Sequence, residues 1–320
     1  MASRVQNAPD TSALRELPDA LVRSGYVDAY ASLGLLHLEH ARLRERLAGL
    51  GPRLGPLVGL FLLGERVTPG ALVDIDAEAL EKIGVLLVSD GLLHTGGLIL
   101  LPFLGQLLFV PSPPTRDVYY GDDSASFAAR LLPRVGARCV DLATSAGQRA
   151  LRLAASRCTV VAVEASPIAR GIAELNIIMN GLEDRIVLQA AISPEPFDFV
   201  CAQPATAPLA GTPAHLGEDG LAELWGTLDI LPRLLRPDAI AQISCIIPGD
   251  VNAPSGLPAI AGFVEERGLS GTLTVARRAR LPRGAVPGPQ LAHVYELDLA
   301  LANEAGGIAI VSHVIRPMGG

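Results

Sequence analysis

Two carboxylates, Asp141 and Glu164, stand 23 residues apart, each closing a short apolar run, CVD and TVVAVE. Between them lie Ala143, Thr144, Ser145, Ala146 and Gly147, followed by a helical pattern. Strand, acid, small-residue turn, helix, strand and second acid is the order of a nucleotide pocket. The small residues let the backbone approach a ligand, and an acid at the end of the second strand can accept hydrogen bonds from both ribose hydroxyls. A dinucleotide binder places GxGxxG directly after its first strand, so that a pyrophosphate rests on bare backbone. Here Ala143 and Ser145 occupy the first two glycine positions, and Asp141 would repel phosphate but attract an ammonium. S-adenosylmethionine carries an ammonium, a sulfonium and a ribose without phosphate, so the pattern favours it over NAD.

The segment VDLATSAGQRALRLA resembles the first motif of class I S-adenosylmethionine-dependent methyltransferases, and VVAVEASPIARGIAELNIIMNGLEDRIVL resembles the family's next segment. The resemblance spans about residues 117–247 and includes Ser166-Pro167 opening a helix and the run Asn176-Ile177-Ile178-Met179-Asn180-Gly181-Leu182. It implies an α/β fold, a Rossmann-like seven-stranded methyltransferase domain. It also implies a cofactor site of Tyr120, Asp123, Ser124, Asp141, Ala143, Thr144, Ser145, Gly147, Glu164, Ala165, Ala191, Ile192 and Gln203. Many relatives hold the adenine amino group with an acid after the third strand; Ala191 stands there, leaving backbone contacts from Ala191 or Ile192.

The stretch Phe197–Thr206 resembles the fourth motif of enzymes that methylate glutamine amides or exocyclic base amines, D-x-x-x-x-N-P-P-[YF]. Gln203 replaces the Asn, Pro204 is kept, and Ala205 and Thr206 replace the second Pro and the aromatic. The resemblance places acceptor contacts at Tyr119, Tyr120, Pro204, Ala205 and His215, with catalytic roles for Gln203, Tyr120 and His215. His215 would act as the base for a hydroxyl acceptor, whereas an amine acceptor needs orientation more than a strong base. The expectation is a methyltransferase for a small molecule of the specialised-metabolite (antibiotic-biosynthesis) kind. The alternatives are a glutamine-type protein or peptide N-methyltransferase, and a methyltransferase-fold protein that binds the cofactor without methylating.

The elements that must position these residues follow from periodicity. Beyond Pro111-Ser112-Pro113-Pro114, strands at 138–141, 159–164, 186–191, 197–201 and 239–247 alternate with helices at 124–132, 146–155, 167–180 and 221–234. That alternation implies a parallel sheet covered on both faces. Runs at 273–279, 293–300 and 308–315 complete it, with antiparallel pairing at the edge. Residues 1–116 read as a smaller domain: helical spacing at 12–24, 36–50 and 54–63, an Asp76-capped turn, and a hairpin within 96–110. Helices followed by a hairpin are winged-helix-like, suiting a substrate-lid or dimer-interface role, possible homodimer included. Residues 117–320 form the cofactor domain.

Charge and composition bound the rest. The net charge is −7, and residues 1–116 hold 10 basic and 12 acidic side chains. A groove-reading helix needs clustered Arg or Lys, so no nucleic-acid partner is expected. Four cysteines lie in or beside predicted strands without CxxC spacing, which argues against a zinc site and suits buried reduced thiols in a cytoplasmic protein. No metal is expected. Residues 96–110 are apolar but interrupted by Pro102, Gly105 and Gln106, and are shorter than the roughly 20 residues of a span. No membrane association is expected.

Overall fold

A computed structural model describes residues 10–32, 49–115, 117–206, 221–250, 252–280, 293–303 and 308–311. Its central feature is a mixed sheet in the order β12-β10-β11-β9-β8-β5-β6-β7. The strands are β5 (Arg138–Leu142), β6 (Thr159–Val163), β7 (Ile186–Gln189), β8 (Phe197–Ala202), β9 (Leu235–Gly249), β10 (Ser270–Arg280), β11 (His293–Ala302) and β12 (Ile308–Val311). β6, β5, β8 and β9 run parallel, while β11 is antiparallel to both β9 and β10. This is the seven-stranded Rossmann-like methyltransferase arrangement implied by the resemblance, with β12 added parallel to β10 at the edge. β5 and β8 are apolar runs buried on both faces, as central parallel strands must be.

The chain divides into two compact units. The first comprises residues 1–129, 145–151 and 166–188; the second comprises 130–144, 152–165 and 189–320. In the second, Val140, Phe197, Val200, Leu228, Leu231, Ile243 and Leu297 belong to one core, packed between the strands, α8 (Ala222–Leu234) and α9 (Leu257–Glu266). Arg130 caps this unit electrostatically: its guanidinium bonds both Glu296, 4% exposed, and Asp298 on β11.

In the first unit, α1 (Ser12–Arg23), α2 (Tyr26–Ser32), α3 (Gly51–Leu63) and α4 (Ala77–Lys82) precede two hairpins, β1–β2 (Leu87–Ser89, Leu92–His94) and β3–β4 (Leu98–Phe103, Gln106–Pro111). Asp76 caps α4 as expected, accepting from the Ala79 N–H at 3.0 Å. Thr68 makes no side-chain cap, and Pro69 opens only a 3-10 turn (Pro69–Ala71). The apolar 96–110 stretch is the expected hairpin. No helix among the described residues is long and apolar enough to cross a membrane. The expected helix at 36–50 falls largely outside the described residues, and the winged-helix comparison gains no support.

The same unit contains α5 (Asp122–Arg130), α6 (Gln148–Ala155) and α7 (Pro167–Met179), the first two ending just past its boundaries. α7 supplies an unusual neighbour to β4. The fully buried Asn176 accepts from the Phe109 N–H at 2.7 Å and donates to the Phe109 and Ala146 carbonyls. Asn180, one turn on, accepts from the Leu107 N–H and donates to the Leu107 carbonyl. The two carboxamides thus satisfy alternate residues of a strand edge, as a neighbouring strand would.

Candidate functional site

The turn after β5 carries the clearest signature. Ala143 has φ 53°, Ser145 φ 55° and Gly147 φ 90°. Each sits where the family motif has glycine, and each holds the left-handed conformation that glycine adopts freely and other residues enter at a cost of roughly 1–2 kcal/mol. The sequence suggests a worn glycine cradle; the backbone shows that its shape persists. Alternating left-handed residues also explain why α6 starts at Gln148 and not at Ala146 as expected.

Asp141 maintains this turn. Its carboxylate is fully buried, accepts from the Thr144 hydroxyl, and lies 3.5 Å from the Cys201 thiol on β8. The Thr144 N–H donates to the Val163 carbonyl at 2.8 Å, tying the turn to the end of β6. Asp141 therefore differs from the expected open acceptor of an ammonium: it braces the turn from behind, because Thr144 and Cys201 engage it in the core. Ala143 itself is exposed at the surface of the turn.

Glu164 follows β6 directly, half-buried, its N–H donating to the Gln189 carbonyl at 2.9 Å. The helix after it is capped by Ser166, whose hydroxyl accepts from the Ala169 N–H, so the Glu164 carboxylate is not the cap. Ala165 and Ala191 are exposed and Ile192 is half-buried. Asp141 and Glu164 thus stand at the same end of two adjacent parallel strands, where ligands of doubly wound sheets bind.

Gln203 is half-buried and Pro204 buried, at the end of β8. The two departures from the fourth motif have structural tasks that sequence reading missed. The Ala205 N–H donates to Glu223 in the first turn of α8 at 2.8 Å. The Thr206 hydroxyl donates to the Ile246 carbonyl and accepts from the Ile246 N–H, fastening the loop to β9. A Thr opposite a strand could have suggested this, but nothing in the sequence marks Ile246 as its partner. His215 lies outside the described residues.

The first unit holds the remaining candidates. Tyr119 is 51% exposed; its hydroxyl donates to Asp123 at 2.8 Å and its carbonyl accepts from the Ser145 hydroxyl. Tyr120 packs edge-on against Phe103 at 6.4 Å, and burial, with Tyr30 and Asp122 nearby, pushes its phenol up. At neutral pH it is therefore a neutral donor, not a base. Ser124 is buried in α5. Gln148 was missed: it is 1% exposed, and its Oε1 accepts no hydrogen bond among the described residues. A polar residue at the first helical position after the turn is the signal that could have found it. No cluster of potential metal ligands occurs among the described residues.

No protein-family profile and no curated protein matches the sequence. Similar solved structures include Trm5b from Pyrococcus abyssi, at 15% identity over 68% of this chain and 61% of that one, with a TM-score of 0.44. TYW2 of M. jannaschii in complex with AdoMet shares 14% identity over 64% and 86%, TM-score 0.45. The M. jannaschii tRNA m1G37 methyltransferase shares 16% over 67% and 58%, TM-score 0.44. The chain thus spans less than two thirds of the first and third of these proteins. The likeness is one of fold. It corrects one expectation: the small-molecule, antibiotic-type acceptor without a nucleic-acid partner is overturned by a tRNA methyltransferase among the similar structures. The glutamine-type subgroup receives no support from them.

Proposed function

We propose that the chain binds S-adenosylmethionine and is a methyltransferase. The observation that carries this is the trio of left-handed residues at 143, 145 and 147, held by the buried Asp141–Thr144 pair and followed one strand away by Glu164. Two of the three are not glycine, so the strain is maintained by surrounding structure, the situation expected at a ligand turn. The residues fit the group: an uncharged, close-approach backbone turn suits an adenosyl sulfonium, and the Glu164 carboxylate suits its ribose hydroxyls. When bound, the cofactor supplies an electrophilic methyl carbon. This chain's contribution is orientation and exclusion of water, with Gln203 as the candidate acceptor-positioning amide.

Calorimetry with S-adenosylmethionine and S-adenosylhomocysteine tests the reading. Micromolar binding is expected, and Glu164→Ala should weaken it about 10- to 100-fold, the worth of charge-assisted hydrogen bonds of about 1.5–3 kcal/mol. Failure of both ligands to bind below millimolar concentration refutes it. RNA is the acceptor class to assay first, as radiolabelled methyl transfer to bulk tRNA. Gln203→Ala should then reduce transfer far more than it weakens cofactor binding.

A further inference from the structure

An open cavity of about 310 Å³ lies in the second unit, lined by Leu131, Leu132, Pro133, Val135, Arg152 and Arg157 among others. Its loop precedes β5 and its helical wall ends just before β6, so it sits at the strand starts, the opposite end from Asp141 and Glu164. Leu132 is 77% and Val135 76% exposed. These side chains are not on a loose loop. The Leu132 N–H donates to the Gln242 side chain at 2.8 Å, and the Arg134 carbonyl accepts from the Ala137 N–H and the Cys158 thiol. Two large exposed apolar groups on a hydrogen-bonded loop, contiguous with the aliphatic cavity lining, are consistent with an interaction surface.

The charges around it are one-sided. In this unit Arg130, Arg138 and Arg236 are each engaged by carboxylates: Glu296 and Asp298, Glu195, and Asp198 respectively. Arg152 and Arg157, the charged residues of the lining, make no ion pair among the described residues; Arg152 bonds only the Ser156 hydroxyl. Two cations and no acid in the lining of an aliphatic floor, on a chain of net charge −7, call for an anionic occupant. No aromatic side chain lines the cavity, so it lacks the stacking platform that single-stranded nucleic acid uses.

We propose that this groove docks an acidic polypeptide segment of a partner protein, an aliphatic side chain seated on Leu132 and Val135 and flanking carboxylates on Arg152 and Arg157. The test is fluorescence anisotropy with a labelled octapeptide of three acidic residues, two leucines and three further acidic residues. Expected are saturable binding in the range of about 10–100 μM, weakening with salt, and at least a tenfold loss in Arg152→Glu/Arg157→Glu. Val135→Ser should weaken it severalfold. Titration of S-adenosylmethionine should be unchanged by these surface variants. Absence of peptide binding below 1 mM, indifference to the charge reversal, or poly(U) binding in place of the peptide would each overturn the proposal. None of these outcomes depends on the methyltransferase reading.

Discussion

Replacing Ala143 by glycine should stabilise the protein. A left-handed φ of 53° costs an L-residue roughly 1–2 kcal/mol, and glycine almost nothing. Against this, glycine makes the unfolded chain freer, at about 0.4–1 kcal/mol. The Ala143 methyl is exposed, so little packing is lost. The net is a gain of about 0.5–1 kcal/mol, or an increase of about 1–3 °C in melting temperature for a chain of this size. Gly147→Ala in the same turn should do the opposite. At φ +90° an added Cβ is strained, and it would stand 3.5 Å from Ala173 Cβ, so a loss of about 1–2 kcal/mol is expected. Urea unfolding of both variants, read by circular dichroism, measures the difference. If Ala143→Gly destabilises by 1 kcal/mol or more, the turn is not left-handed there and the cofactor site loses its main support.

Asn176→Ala should cost about 2–4 kcal/mol, because it strands both polar groups of Phe109 and the Ala146 carbonyl; hydrogen exchange should show the Phe109 amide losing protection first. Arg130→Met should cost about 3–5 kcal/mol by removing the guanidinium that bonds Glu296 and Asp298. Urea unfolding measures the deficit; a variant as stable as the parent would contradict the assignment. Asp198 is held below the usual carboxylate range by the Arg138 N–H, and then by Arg236, against opposing burial. A depressed folded-state pKa contributes stability above about pH 4 that is lost on further acidification, so Arg236→Ala should flatten the acid limb of the stability curve. All four cysteines are buried, and burial pushes Cys245 up to about 12; Ellman's reagent should therefore react slowly with the native protein and rapidly in denaturant.

Local pattern was enough for much of the architecture. The alternation of apolar runs and helical spacing marks β5, β6, β8 and α7 within a residue or two, since both periods are set by backbone geometry. The acids at the ends of β5 and β6, the Asp76 and Ser166 caps, and the 96–110 hairpin depend on neighbours in sequence and were legible there. What tertiary structure decided is contact between distant segments. Two missing glycines suggest a lost cradle, yet Ala143 and Ser145 keep the left-handed backbone, with Thr144 bonded to Asp141 and to Val163 across a strand pair. Asp141 reads as an open carboxylate; only the approach of Cys201 and Thr144 turns it inward. Thr206 and Ala205 look like decayed motif positions until Ile246 and Glu223 are brought beside them. Side-chain type is written residue by residue, but the energy that holds a strained turn, and the direction a buried charge faces, belong to the packing around them.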